Sequence, residues 1–395
     1  MLRVLTLSSL FPDASRPNFG QFVARQTVAL AAQPGVAVRV VAPIGLPPWP
    51  LRQAGHRALA ALPFRQDWAG LDVLRPRFVT LPGTGGRWHV AALTRALVPL
   101  LDRLRTDFAF DVIDASFFFP DGPAAVALGR RYGVPVSIKA RGADIHHWGH
   151  ATATAAQVRA AGRAADGLLA VCGAMRDDMA AIGMPRARIH VHHTGIDQAR
   201  FRPADRATLK AQQGVRGPLV VSLGALIPRK GHDIVIDAVA RLPGVRLHIA
   251  GEGPEAARLA AQAARLGIAD RVTILGGVPH DALPRLLAAA DIMALASASE
   301  GLANAWVEAL ACGTPIVIPD AGGAREVVTA PAAGRIVARD PSAFAAAIAA
   351  LLADPPRQDA VAAMAAGFSW EANGAALAAH LRALVDARAA QASRG

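Results

Sequence analysis

Residues 291 to 320 read DIMALASASEGLANAWVEALACGTPIVIPD, and their reading decides the fold. A short apolar run, DIMALA, leads into a Ser- and Gly-containing loop. A helical pattern follows from about 302 to 312, then Gly313 where a left-handed residue ends a helix, then a β-branched run, PIVIPD. Strand, helix and strand with no hairpin turn make a βαβ unit, which commits its strands to a parallel sheet. Two glutamates, Glu300 and Glu308, sit at the mouth of that helix and inside it, among Ala and Leu neighbours. Eight residues at about 100° each bring them to within roughly 80° of one face, two turns apart. A carboxylate accepts two or more hydrogen bonds, which suits sugar hydroxyls. The competing reading pairs Glu308 with a neighbouring Arg.

The same alternation runs through the chain. LRVLTLSS, a helix near 20–32 and VAVRVVAP open it, and a Pro- and Trp-rich stretch, 43–70, reads as irregular. LDVLRPRFV, DVIDAS, VPVSIKA, GLLAVC and RIHVHH then alternate with helical patterns up to residue 193. Residues 194–217 are polar, carry Gly and Pro and lack a strand, which suits a connector. PLVVSLG starts a second α/β series over 218–365, and 366–395 forms a terminal helical segment. The expectation is two doubly wound Rossmann-like domains, 1–193 and 218–365, with ligands at the carboxyl ends of their strands and in the cleft such domains form.

Composition narrows the class. The 395 residues exceed what one core usually supports, and 53% are apolar against 18% charged, which excludes long disorder. Cys172 and Cys312 fall in separate apolar segments, so neither a disulfide framework nor a zinc site is indicated. The longest uncharged runs are too short to span a bilayer and the N-terminus reads as a first strand, so a cytoplasmic protein is expected. Residues 1–200 hold 23 Lys and Arg against 13 Asp, a charge of +10; residues 201–395 hold 19 against 17, a charge of +2. A basic first half, with Trp49, Trp68 and Trp88 in irregular segments, suggests an anionic membrane surface as partner. A composition rich in Arg and Ala accounts for the same charge without a partner. Nucleic acid is not expected, because the arginines are scattered and no aromatic stacking platform accompanies them.

Two further stretches bear on chemistry. SLGALIPRKGHD, 222–233, ends a strand in a Gly loop with Arg229 and Lys230 directly before a helix, which gathers backbone N–H groups and cations as an anion site would. IAGEGPE, 249–255, has only Gly251 and Gly253, and reads as a tight turn with Pro254 as the first helical residue.

At this point a resemblance enters. EGLANAWVEALACGTPIV, 300–317, resembles the Glu-x7-Glu signature of the retaining GT-B glycosyltransferases of family 4. LGALIPRKGHDIVIDAVA, IAGEGPE, ILGGVPHDALPRLLAAADIMALAS and AGGAREVV follow the donor domain of that family in order. LFPDASRPNFGQFVARQ, FFPDGPAAVALGRRYGVPVSIKARGADI and HTGIDQARF are similar to its acceptor domain, and FSWEANGAALAAHL to its terminal helix, which crosses back to the first domain. The resemblance implies a GT-B fold of two Rossmann-like domains facing across a cleft. It implies transfer of a sugar, with retention, from a nucleotide-sugar donor to a glycan or lipid-linked glycan. It also implies an enzyme of polysaccharide biosynthesis, while a peripheral place on the inner face of a membrane rests on the basic first half and the three tryptophans alone.

The implied roles fall residue by residue. Lys230 and Arg229 neutralise the diphosphate, approached by Gly20 and supported by Gly224. Glu308 holds the ribose, Glu300 the transferred sugar, and Gly301, Leu302 and Asn304 line sugar and phosphate. Gly277 and Val278 meet the base through their backbone. Asp121, Arg141 and Asp144 belong to acceptor binding. Glu300, Lys230 and Arg229 carry the catalysis, with neither metal nor cofactor. Two departures mark this chain: Ala225 stands where many relatives have Arg, and Arg141 stands where many have the His of His-Gly-x-Asp. They keep open a noncatalytic sugar-nucleotide-binding scaffold subunit. A nicotinamide oxidoreductase would need a full GxGxxG after a first strand, and LTLSSLFPDASRPNFG supplies none.

Overall fold

A computed structural model describes residues 1–17 and 19–393. Residue 18, in the quoted stretch 10–26, and residues 394–395, in the expected segment 366–395, lie outside the described residues. Two compact units form: Met1–Gly195 with Trp370–Gly395, and Ile196–Ser369. The connector expected over 194–217 is taken up by unit 2 from Ile196 onward and includes a helix, Arg206–Gln212, capped by the Asp205 carboxylate.

Unit 1 carries strands β1 (Leu2–Leu7), β2 (Val36–Val41), β3 (Ile44–Leu46), β4 (Arg65–Trp68), β5 (Leu71–Leu74), β6 (Arg77–Val79), β7 (Val112–Ala115), β8 (Val136–Ala140), β9 (Gly167–Ala170) and β10 (Ile189–Val191). Eight of them make one sheet in the order β10-β9-β8-β7-β1-β2-β5-β4, parallel except for β4, which runs antiparallel along the edge. The stretch 43–70, read as irregular, in fact holds β3, a helix at Ala54–Ala61 and β4. Periodicity misses them because β4 is a charged, exposed edge and the helix buries none of its residues, so neither shows an apolar stripe. Strands β3 and β6 pair in parallel as a separate two-stranded sheet, with Leu46 opposite Val79.

The terminal helix, Trp370–Ala392, completes the core of unit 1: Leu377 and Leu381 pack with Leu2, Val4, Leu30 and Val112. It lies close to helix Gln21–Ala31, because a Cβ on Gly374 would sit 2.4 Å from the carbonyl oxygen of Ala29.

Unit 2 carries β11 (Leu219–Leu223), β12 (Arg246–Ala250), β13 (Val272–Gly276), β14 (Ile292–Ala294), β15 (Ile316–Pro319) and β16 (Gly334–Val337), all parallel, in the order β13-β12-β11-β14-β15-β16. Val220, Ile249 and Ile292 from the sheet pack with Val235, Val239, Phe344 and Ile348 from covering helices. The strand order reverses beside β11 in this unit and beside β1 in the other. At such a switch point neighbouring loops diverge and leave a crevice.

Glycines hold the loops of unit 2 together. Gly231 has φ +67°, and a Cβ there would lie 2.2 Å from the carbonyl oxygen of Ala296. Gly267 has a similar φ of +68° with nothing near it. Gly267→Ala therefore meets only the left-handed backbone penalty, about 1–2 kcal/mol. Gly231→Ala adds a backbone collision and is expected to cost about 3 kcal/mol or more. Urea unfolding of the two variants tests this; equal losses would contradict it.

Candidate active site

In unit 2 four loops leave the carboxyl ends of adjacent parallel strands, and backbone hydrogen bonds stitch them. Gly224 N donates to Ala250 O at 3.0 Å, Leu226 N to Glu252 O at 2.9 Å and Gly251 N to Gly276 O at 2.8 Å. Gly253 also lies against the backbone of Leu226, so both glycines of IAGEGPE serve close backbone approach. The following helix starts at Ala256, so Pro254 sits in the turn and is not its first residue.

The loops after β11 and β14 flank the switch point, and they carry the predicted charges. Arg229 and Lys230 lie in a single 3-10 turn, Pro228–Lys230, ahead of helix His232–Ala240. Lys230 Nζ forms an ion pair with Glu300 Oε1, with only 14% and 9% of the side chains exposed. Arg229 donates to the carbonyl of Ser299 and stands 3.7 Å from Glu300 Oε2. Ala298 N donates to Arg229 O at 2.8 Å, which joins the two loops by their backbones. Glu300 itself is fixed from behind: Gly323 N donates to Gly301 O at 2.7 Å, and a Cβ on Gly322 would collide with the carbonyls of Glu300 and Gly301. The resemblance assigned the cations to the diphosphate and Glu300 to the sugar; in the structure these side chains touch each other.

Glu308 is buried within helix Asn304–Ala311, which begins two residues later than expected and is followed by Cys312 as its cap and by Gly313 at φ +73°. Its partner is not an Arg: His280 Nε2 lies 3.2 Å from Glu308 Oε1. A carboxylate accepts only, so that ring nitrogen carries the proton. Phe201 stands edge-on to the His280 ring at 5.4 Å. Burial and the Glu308 charge push the Cys312 thiol up to about 12, which leaves it inert at neutral pH. Leu302 is buried, Asn304 is the first residue of the helix, and Gly277 is exposed beside the Glu252 carboxylate, next to Val278.

Unit 1 has its own group at the carboxyl ends of β1, β7 and β8. Gly20, at φ +67°, caps helix Gln21–Ala31, and a Cβ there would lie 2.5 Å from the carbonyl oxygen of Leu10. Asp121 bridges the switch point: its Oδ2 accepts from Ser9 N at 2.7 Å and Ser9 Oγ at 3.1 Å. It is fully buried, and burial pushes its pKa up to about 7. Asp144 is also buried and accepts from the backbones of Arg141, Gly142 and Phe118. Both acids thus hold loops in shape. Arg141 Nε donates to Ser116 O at 2.9 Å and Nη2 to Gln26 Oε1 at 3.1 Å, and its guanidinium lies over the Phe22 ring. Burial pushes it down to about 10.

Several members of this group were absent from the sequence reading. Lys139 is completely buried, donating to Gln26 Oε1 at 3.0 Å and meeting His192 Nδ1 at 2.7 Å. His192 Nε2 contacts Asn373 O at 2.9 Å and must donate there, so Nδ1 is free to accept from Lys139. Burial and the neighbouring Arg141 charge hold the Lys139 pKa well below its usual range, and burial and Lys139 push His192 down to about 2. Asp114 is pushed up to about 6 by burial. The available signal was a charged residue inside an otherwise apolar strand, in VSIKA and in DVIDAS.

Comparison with known proteins completes the identification. Residues 205–367 match the family described as Glycosyl transferases group 1, and residues 20–200 match Glycosyltransferase Family 4. The fold is that of a sucrose-phosphate synthase from Thermosynechococcus elongatus, with a TM-score of 0.82 at 19% identity over 98% of this chain and 100% of that one. The chain belongs to the GT-B glycosyltransferases. Another structure with this GT-B fold is Anabaena HepE in complex with UDP-glucose, with a TM-score of 0.67 at 22% identity over the whole of both chains. Among sequences, the D-inositol 3-phosphate glycosyltransferase of Mycobacterium marinum is 40% identical over 216 residues, 51% of this chain and 46% of that protein. That of Segniliparus rotundus is 38% identical over 50% of this chain and 47% of its own length. This GT-B chain thus spans about half the length of the relatives it matches.

Asp121 yields a pH prediction. Its folded pKa, about 7, lies above the ordinary 3.8, so between pH 4 and pH 7 the folded state binds the extra proton. Stability contributed by the neutral carboxyl is present below that window and lost as pH rises through it. Asp121→Asn stays neutral, and should gain on the wild type by up to about 1.4 kcal/mol per pH unit between pH 4 and 7. Urea titrations across that range check it; parallel pH profiles would contradict it.

Proposed function

We propose that this chain transfers a sugar from a nucleotide-sugar donor to a glycan or lipid-linked glycan acceptor, with retention of anomeric configuration and without a metal. The observation that carries the reading is the meeting of Arg229, Lys230 and Glu300 at the switch point beside β11. The matched families, the UDP-glucose complex of HepE and the glycosyltransferase relatives support it.

In this reading unit 2 holds the donor. Its diphosphate draws Lys230 from Glu300 and takes a second charge from Arg229, with the backbone at Gly224 beside it. The freed Glu300 carboxylate then turns to the sugar hydroxyls, next to the backbone of Gly301 and Leu302 and to Asn304. Glu308, oriented by His280, accepts from the ribose hydroxyls, and Gly277 and Val278 face the base. The bond from the anomeric carbon to the phosphate oxygen breaks, leaving charge on the diphosphate where Lys230 and Arg229 are already placed. That preorganisation lowers the barrier. The acceptor oxygen bonds to the same face of the anomeric carbon, and its proton passes to the departing phosphate oxygen. Acceptor binding falls to unit 1 around Arg141, with Asp121 and Asp144 shaping the loops and Gly20 admitting close backbone approach. We place the protein at the cytoplasmic face of a membrane, where lipid-linked acceptors are found.

Thermal unfolding with UDP, GDP, ADP and their sugar conjugates tests the donor site. A ligand at a hundredfold its Kd adds about 2.7 kcal/mol of stability. One nucleotide should raise the Tm of the wild type, and Lys230→Ala and Glu308→Ala should each abolish the shift. No shift with any nucleotide, or a shift kept by both variants, would sink the assignment. With the donor known, the anomeric configuration of the product by NMR tests retention, and an inverted product would contradict it.

A further inference from the structure

We propose that unit 1 docks on an anionic lipid bilayer through the rim at the carboxyl ends of β3 and β6. The inference rests on the membrane location proposed above, not on the transfer reaction. Both strands run in the same direction, and the hydrogen bond from Thr80 N to Leu46 O at 2.9 Å continues their pairing to the rim. The chain therefore leaves them side by side, into segments 47–51 and 80–88. These segments and the strand end carry Trp49, Leu51, Val79, Leu81 and Trp88, which are 42% to 82% exposed. Trp49 lies three residues beyond Leu46, a reach of about 10 Å. The contact of Phe78 with His89, at 6.3 Å between ring centroids, keeps Trp88 near β6.

Single exposed apolar residues are ordinary, but five within two short segments that leave paired strands side by side are not. Among the described residues, unit 2 exposes only Leu266 and Leu275 of comparable size, so the asymmetry is not compositional. Trp68 is not part of the rim: it is half-buried against Leu71 and Val73.

Charge decides the occupant. Residues 44–101 contain seven Arg and two Asp, with no Lys or Glu. Arg87 is exposed in segment 80–88, Arg57 and Arg95 are exposed on the helices that follow the two segments, Ala54–Ala61 and His89–Asp107, and Arg52 is half-buried, its Nε donating to Pro47 O at 3.0 Å. Asp72 is neutralised by Arg39 and Arg65 on the sheet edge. Tryptophans in the company of arginines that have no carboxylate partner among the described residues match a surface of acyl chains beneath anionic headgroups. A protein interface core, by contrast, is depleted of charge.

The test is co-sedimentation of the full chain with vesicles of 30% phosphatidylglycerol in phosphatidylcholine, against pure phosphatidylcholine, at low and high salt. Binding to the anionic vesicles should be at least tenfold tighter and should weaken with salt. The double variant Trp49→Ala, Trp88→Ala and the single variant Leu81→Asp should each lose at least tenfold, with Tm and any nucleotide-induced shift unchanged. Equal binding to both vesicle types, or wild-type binding by the variants, would overturn the proposal. So would a dimer in solution that needs Trp49 and Trp88, since a second copy would then cover the rim. The nucleotide-induced shift reads the donor site independently, so failure here and failure of the donor assignment are distinguishable.

Discussion

The ion pair of Lys230 with Glu300 is the constraint on which the arrangement of unit 2 depends. It joins the loop after β11 to the loop after β14, the two neighbours from which the sheet is wound in opposite directions. A pair this well shielded costs desolvation, and removing one partner strands the other charge. Evolution of a purely structural contact would gain as much from two apolar side chains. What those would not provide is a cation that an incoming anion can take, and a carboxylate released by the same event. The rest of the unit holds the pair in register: Gly231 permits the approach of the Ala296 backbone, Ala298 is bonded to Arg229, and Gly322 and Gly323 close on Glu300 and Gly301.

Unit 1 solves a related problem with buried polar groups. Ser9 and Asp121 tie the loops at its own switch point, and Gln26 accepts from both Lys139 and Arg141. His192 connects Lys139 to the backbone of Asn373, so the terminal helix anchors this network as well as the apolar core. Lys139 and Arg141 each find an acceptor there, and burial with the Arg141 charge pushes Lys139 toward its neutral amine, which eases their closeness away from water. The Arg141 side chain is thus held by Ser116 after β7 and by Gln26 and Phe22 of helix Gln21–Ala31.

The doubly wound architecture was legible because parallel strands buried on both faces read as apolar runs between helical patterns, as DIMALA and PIVIPD do. Arg229, Lys230, Glu300 and Glu308 were legible for a different reason: charge next to glycine at a strand end, or within an apolar helix, has few structural explanations. Strand β4 and helix Ala54–Ala61 were not, since an exposed edge and a helix with no buried face leave no period to detect. The partners of the glutamates were also out of reach. Glu308 meets His280 across 28 positions, and Glu300 meets Lys230 across 70. Only the folded sheet places those segments side by side.

The most direct test of this account is hydrogen exchange of the full chain with and without the nucleotide that raises its Tm. The account predicts slowed amide exchange confined in unit 2 to residues 224–231, 277–280 and 300–308, the loops at the carboxyl ends of β11, β13 and β14. Protection centred elsewhere in unit 2, with these loops unchanged, would contradict the placement of the donor on Lys230, Glu300 and Glu308.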